Sequence, residues 1–273
     1  QAISHHNNAQ LYVHGGRVQA KKLLAHLSTF AHYEHTRDIP SEPTSGLAAH
    51  LKFGTISVRE VYAAIQDRLG NDHPLIRQLY WRDFFTQIAA HHPRVFGHAF
   101  HAQYDHIRWS ESQKHFRAWC EGETGFPLVD AGMRQLNVTG FMHNRVRMVT
   151  ASFLVKDLHI DWRWGERYFA QKLVDYDPAV NNGNWQWCAS TGCDSQPYMR
   201  IFNPWEQQKR YDPECQYIKR WVPELTACTP RDIHNLSRFL PPSLCAYPKP
   251  IVDHAQERFR ALEMYRACRT QKK

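Results

Sequence analysis

Neither a CxxC pair nor an HExxH run occurs anywhere in the chain. That excludes the common structural and catalytic zinc patterns. The seven cysteines, at 120, 188, 193, 215, 228, 245 and 268, are odd in number and irregularly spaced. A disulfide framework is a poor fit, and reduced thiols in an intracellular compartment (cytoplasm or nucleoid, nucleus in a eukaryote) are expected. The eighteen histidines show no finger spacing, so they read as surface or core residues and no metal is expected. No apolar run approaches the roughly 20 residues that span a bilayer. The opening QAISHHNNAQ lacks a signal-peptide core. Strand-like alternation, internal repeats and low-complexity tracts are nearly absent. The chain does not begin with Met, which leaves open a processed end, a naturally short protein or a piece of a longer one.

What is present is apolar and aromatic. Of 273 residues, 42% are hydrophobic and 13% aromatic, with nine tryptophans, enough for a sizeable core. The net charge of +8 favours a polyanionic partner, nucleic acid or an anionic membrane, although a solvated basic surface explains it equally well. Apolar spacing is helical. Ala20, Leu23, Leu24, Leu27, Phe30 and Ala31 follow one face. Ser57 and Glu60 form a capping-box pattern. Pro74 opens a helix that Pro93 ends, and Pro127 opens another that Gly140 stops. Further helices are expected at 143–157 and 160–172, a loop at 241–250, and a closing helix through Val252, Ala255, Phe259 and Leu262. The fold class is all-α, a single helical domain over 1–273.

Several segments bear chemistry, each with a plainer explanation beside it. The Thr-Ser-Gly run 44–46 entering a short helix suits a phosphate, yet an ordinary N-cap suffices. Gln78, Trp81, Arg82 and Phe85 share a helical face. It would suit stacking and phosphate contact, or only an amphipathic helix. Asn144 and Met148 lie one turn apart. Arg145 and Arg147 point to different faces, one toward solvent or DNA, the other inward to a carboxylate such as Asp175 or Asp177. Any single tryptophan is more often packing than electron relay.

Together, TGFPLVDAGMRQLNVTGFMHNRVRMVTASFLVKDLHIDWRWGERYF, NNGNWQWCASTGCDSQPYMRIFNP and YIKRWVPEL resemble the photolyase/cryptochrome family, class I cyclobutane pyrimidine dimer photolyases in particular. The resemblance runs from about Gly15 to Pro250 and covers the family's helical FAD domain, not its N-terminal α/β antenna domain. It implies FAD as cofactor, with no antenna chromophore domain evident. Tyr33, Thr44, Ser45, Gly46, Leu47 and Ala48 match phosphate-contacting positions, with Gly46 in place of a common basic residue and Ala48 in place of a common serine. Asp175 and Asp177 match carboxylates near flavin and adenosine. Arg147 matches the partner of the first, and Asn181 faces the central flavin nitrogen. The asparagines of 181–184 thus line a flavin.

The same resemblance makes Trp185, Trp162 and Trp119 an electron chain from the surface to the flavin. It places Trp81, Gln78, Asn144, Met148 and Trp187 against a flipped pyrimidine dimer. Arg37, Arg82, Arg145 and Arg200 fall near DNA phosphates. The implied activity is light-driven splitting of cyclobutane dimers in UV-damaged DNA by a monomeric enzyme. A DASH-type cryptochrome or blue-light photoreceptor is the alternative. A (6-4) photolyase ranks lower, because His143-Asn144 replaces that group's His-His pair. Gln78 stands where many dimer-specific relatives have glutamate.

Overall fold

A computed structural model describes residues 8–193, 199–237 and 247–270. Cys245 and most of the expected 241–250 loop lie outside the described residues. The helices are α1 (Arg17–Ala25), α2 (Tyr33–Thr36), α3 (Leu47–Lys52), α4 (Val58–Leu69), α5 (Pro74–His91), α6 (Gln113–Glu121) and α7 (Pro127–Thr139). They continue with α8 (Asn144–Lys156), α9 (Trp162–Lys172), α10 (Pro178–Ala189), α11 (Pro204–Tyr211), α12 (Gln216–Trp221), α13 (Pro230–His234) and α14 (His254–Thr270). Among the described residues the one β contact is an isolated bridge between Ser110 and Ile160.

Local chemistry sets the boundaries. Ser57 and Glu60 exchange reciprocal cap bonds at the start of α4. Proline occupies the first turn of α5, α7 and α10, where its missing N–H costs nothing. Gly140 ends α7 at φ 66, in the left-handed region. One expected helix is shorter than its periodicity. The apolar face from Ala20 to Ala31 is split at His26 into α1 and a 3-10 turn over Leu27–Phe30. The His26 ring bonds the Lys22 carbonyl there at 2.7 Å.

Two apolar cores result. The larger draws on α6 to α12 and encloses Trp119, Trp162 and Trp185. The smaller joins α1, α3, α4 and the start of α5. From Val149 to Lys156 every residue of α8 is buried, so this helix is the central member. Asp130 is wholly buried and anchors α7 to its entry loop. It accepts from Thr124 Oγ1 at 2.6 Å, Gly125 N at 3.0 Å and Tyr247 Oη at 2.6 Å. Burial raises its pKa, and those donors oppose the rise.

Helix α10 sits between α5, α8 and α9, and two glycines set its depth. A Cβ on Gly183 would come within 2.1 Å of the Phe85 ring of α5. A Cβ on Gly165 of α9 would come within 2.1 Å of Trp185 and 2.6 Å of Leu154. Gly165→Ala is therefore an overpacking substitution. It should lower stability by about 1–3 kcal/mol, read as a lower urea midpoint with unchanged slope.

Candidate functional site

A cleft opens between the two cores, lined by Val13, residues 44–49, Phe141 and Asp175. On one wall, Gly46 stands at φ 64 and no side chain caps α3. The first-turn amides of α3 thus line the cleft without a side-chain acceptor. On the other wall, Arg147 Nη2 donates to Asp175 Oδ2 at 2.9 Å and Oδ1 at 3.2 Å. Arg147 Nε bonds the Met142 carbonyl at 2.7 Å, and its guanidinium lies 5.3 Å from the Phe141 ring. The pair is part-buried, and Arg147 is held from two directions, by Asp175 and by the Met142 carbonyl. Val174 N bonds the Gly140 carbonyl, which holds Asp175 in place.

The expected inward-pointing arginine is thus Arg147, paired with Asp175. Thr44, Ser45, Gly46, Leu47 and Ala48, the positions matched to phosphate contacts, all line this cleft. Two matched positions are not lining residues. Tyr33 packs on the smaller core, where burial raises its phenol pKa. Asp177 caps α10 through Oδ1 and pairs with Lys52 through Oδ2 at 3.4 Å. Sequence reading missed Tyr12, Val13 and Phe141. Tyr12 stacks on Phe141 at 3.9 Å, and its hydroxyl lies 3.4 Å from Thr44 Oγ1. Val13 joins them in the cleft wall. They stand outside regular helices, where periodicity gives no signal.

The asparagines of 181–184 divide their work, which corrects the expectation that they share one site. Asn181 is buried, and its Nδ2 donates to the Glu166 carbonyl at 3.1 Å. Its amide oxygen retains acceptor capacity. Asn182 instead donates to Val95 O at 3.0 Å and Glu166 Oε1 at 2.9 Å. With Gln186, which holds Val95 O, His98 O and Phe100 N, it ties α10 to the loop after α5. Asn184 is exposed and bonds only its own helix, at the Val180 carbonyl.

A second surface lies where α5 and α8 flank α10. Trp81 is 47% exposed, edge-on to Phe84 at 5.5 Å and above Phe85 at 6.1 Å. Gln78 and Arg82 beside it are half-buried, while Phe85 turns inward against Gly183. Asn144 Nδ2 lies 3.8 Å from Met148 Sδ on α8. Trp187 packs near Phe202, with the Arg200 guanidinium 5.7 Å from its ring. Arg37, Arg82 and Arg200 form no ion pair among the described residues. Arg145, matched to a position near DNA phosphates, pairs with Asp38 at 2.8 Å and lies 4.3 Å from the Tyr211 ring. Its side chain is mostly buried, which makes it a structural ion pair.

The tryptophans also differ from expectation. Trp119, Trp162 and Trp185 are all at most 2% exposed, so none reaches the surface. Trp119 is fully enclosed and donates Nε1–H to the Thr150 carbonyl. Half-buried Trp109, absent from the sequence-based set, precedes the Ser110–Ile160 bridge. Exposure could not be read from spacing alone.

The sequence pattern describing the FAD binding domain of DNA photolyase matches residues 75–267. The chain belongs to that family. It is 45% identical over 245 residues to the deoxyribodipyrimidine photo-lyase of Vibrio cholerae, covering 87% of this chain and 52% of that one. It is 44% identical over 267 residues to the Escherichia coli protein of the same name, covering 92% and 57%. Among solved structures, an archaeal photolyase from Sulfolobus tokodaii with two FAD molecules superimposes with TM-score 0.85 at 48% identity, covering 94% of this chain and 57% of that one. A class III photolyase from Agrobacterium tumefaciens gives 0.87 at 40%, covering 93% and 56%. The chain spans about half the length of the curated relatives it matches.

Family membership and cleft agree on FAD. The uncapped α3 turn, with the Thr44 and Ser45 hydroxyls, suits a pyrophosphate. The Arg147–Asp175 pair puts charged groups at the cleft wall. His143, at the N-cap of α8, is nearly fully buried. Burial first, then the Arg147 charge, pushes its pKa from 6.5 down to about 4. The unfolded chain therefore binds this proton more readily, and stability is lost as pH falls from about 6.5 toward 4. His143→Asn, which keeps a good N-cap, should flatten that part of the urea-midpoint profile against pH.

Proposed function

We propose that the chain, with FAD bound, splits cyclobutane pyrimidine dimers in UV-damaged DNA under light. The observation that carries this is the placement of exposed Trp81 on α5 and the Asn144–Met148 pair on α8, both helices packed against α10, which carries the buried Asn181. The relatives' shared name supports the reading. A crosslinked base pair must leave the helix stack to be reached, and the handling of such extruded bases by photolyases is a known example of base flipping. Trp81 provides a plate for the extruded pair, and Gln78 lies one helical turn before it. Arg37, Arg82 and Arg200 hold phosphates and fix register without reading sequence. Bound, reduced FAD would supply the one-electron photochemistry that opens the dimer's ring.

The remaining duties fall to the protein. Asn181 presents a neutral amide that accepts a hydrogen bond without adding negative charge. Asp175, neutralised by Arg147, likewise adds no uncompensated charge. His143 stays neutral at physiological pH and, with Asn144 beside it, offers no pair of proton-donating histidines. This favours the cyclobutane substrate over the (6-4) lesion. We further infer a monomer inside the cell; among the described residues no helix is long and apolar enough to cross a membrane.

The test is illumination of the purified, flavin-loaded chain with duplex DNA bearing a cyclobutane dimer under reducing conditions. Repair is expected there; repair restricted to single strands, or to (6-4) lesions, would select an alternative. Gln78→Glu should raise repair per photon, since a carboxyl group can share a proton with the reduced dimer; no gain removes this role for residue 78. Arg37→Ala, Arg82→Ala and Arg200→Ala should each lower the salt slope of DNA binding by about 1. Arg145→Ala should instead act mainly on stability.

A further inference from the structure

A second cavity, of about 220 Å³, lies outside the flavin cleft and shares no lining residue with it. It is formed where α12 packs against α7, and the loop after α2 completes its lining with Pro40 and Ser41. Arg220 and Trp221 of α12 line it, inside the motif YIKRWVPEL, to which the flavin reading gives no role. Gln135 of α7, only 7% exposed, lines it too. Two donors fix the Gln135 amide. Tyr217 Oη donates to Gln135 Oε1 at 2.6 Å, and the His143 N–H donates to the same oxygen at 3.4 Å. Oε1 is therefore the acceptor, and Nε2 is left with two N–H donors and no partner among the described residues. A buried donor without a partner is costly, so this geometry calls for an acceptor in the cavity. The exposed Arg220 guanidinium forms no ion pair among the described residues and lies 5.4 Å from the Trp221 ring. Its charge reaches the Tyr217 phenol that holds Gln135. Ser41 and Gln216 add a hydroxyl and an amide at exposed positions. Among the described residues no carboxylate lines the cavity.

Donors without a carboxylate select an oxyanion. A guanidinium suits phosphate, because its planar fork matches two oxygens at once. A half-buried indole beside it suits a planar ring. The Gln216 amide both donates and accepts, as the edge of a base requires. The cavity is smaller than the roughly 300–1,000 Å³ of sites for drug-sized ligands, so its occupant is one small unit. We propose that this cavity is a nucleotide subsite, separate from the FAD cleft, that takes a single nucleotide unit. Arg220 and the Gln135 amide hold its phosphate, and its base lies against Trp221. A free mononucleotide and one nucleotide of a DNA strand outside the dimer present the same phosphate and base, and the two arms of the test separate them. Occupancy bears on α8, because the Gln135 oxygen also receives the His143 N–H, and His143 caps the helix that carries Asn144 and Arg147.

The experiment is titration of the flavin-loaded chain, labelled with fluorotryptophan, followed by fluorine NMR. Trp221→Phe assigns the Trp221 resonance. One arm adds thymidine monophosphate, with thymidine and inorganic phosphate as its separate parts. The other adds a single-stranded oligonucleotide without a lesion. We expect the Trp221 resonance to shift saturably, and Arg220→Gln to weaken that binding about tenfold or more with flavin content unchanged. Ser41→Asp, an exposed change that brings a negative charge to the cavity, should weaken it as well. A shift with the monophosphate assigns a free nucleotide. A shift with the oligonucleotide alone, its salt slope lowered by about 1 in Arg220→Gln, assigns a strand nucleotide. A resonance that neither probe moves overturns the subsite, as does a response that inorganic phosphate reproduces in full or that Arg220→Gln leaves intact. Loss of flavin in Arg220→Gln would merge the cavity with the FAD site and overturns it too. A chain that takes up no flavin overturns the reading of the cleft, while the same titration still decides the subsite.

Discussion

The depth at which α10 sits against α5 and α9 governs the rest of the molecule. Two missing Cβ atoms permit it: Gly183 accepts the Phe85 ring, and Gly165 accepts Trp185. Close packing at such points transmits small errors, because interiors have few voids into which a side chain can retreat. The same seating orients Asn181 inward and sends Asn182 and Gln186 toward the loop after α5. There they satisfy backbone carbonyls that would otherwise be buried without donors. One helix thus supplies a packing ridge and a polar clamp.

Electrostatics complete that frame. Arg147 and Asp175 form a part-buried pair whose value is placement more than net stability, since desolvating two charges offsets much of their attraction. Removing either partner would leave an uncompensated charge at the cleft. Arg145 and Asp38 do the same on the adjoining side.

Much of this was legible in the sequence. Helix starts at Ser57, Pro74 and Pro127 follow from caps and proline chemistry, and the stop at Gly140 from its left-handed backbone. Residues 44–48 and the Arg147–Asp175 pair were visible through long, specific motif resemblance. Tertiary choices were not visible. Which asparagine of 181–184 turns inward depends on where α10 rests, and whether Arg145 meets solvent or Asp38 depends on a loop more than 100 residues away in the chain. Trp119 and Trp109 look alike as letters; only the fold tells an enclosed indole from a half-buried one. Tyr12, Val13 and Phe141 reach the cleft from irregular backbone, where no period announces a face.

The most direct measurement is a crystal structure of the chain with FAD. The account predicts pyrophosphate density at the first turn of α3, with the flavin ring beside Asn181 and the Arg147–Asp175 pair. Density elsewhere, or an intact chain that excludes FAD from this cleft, would contradict it.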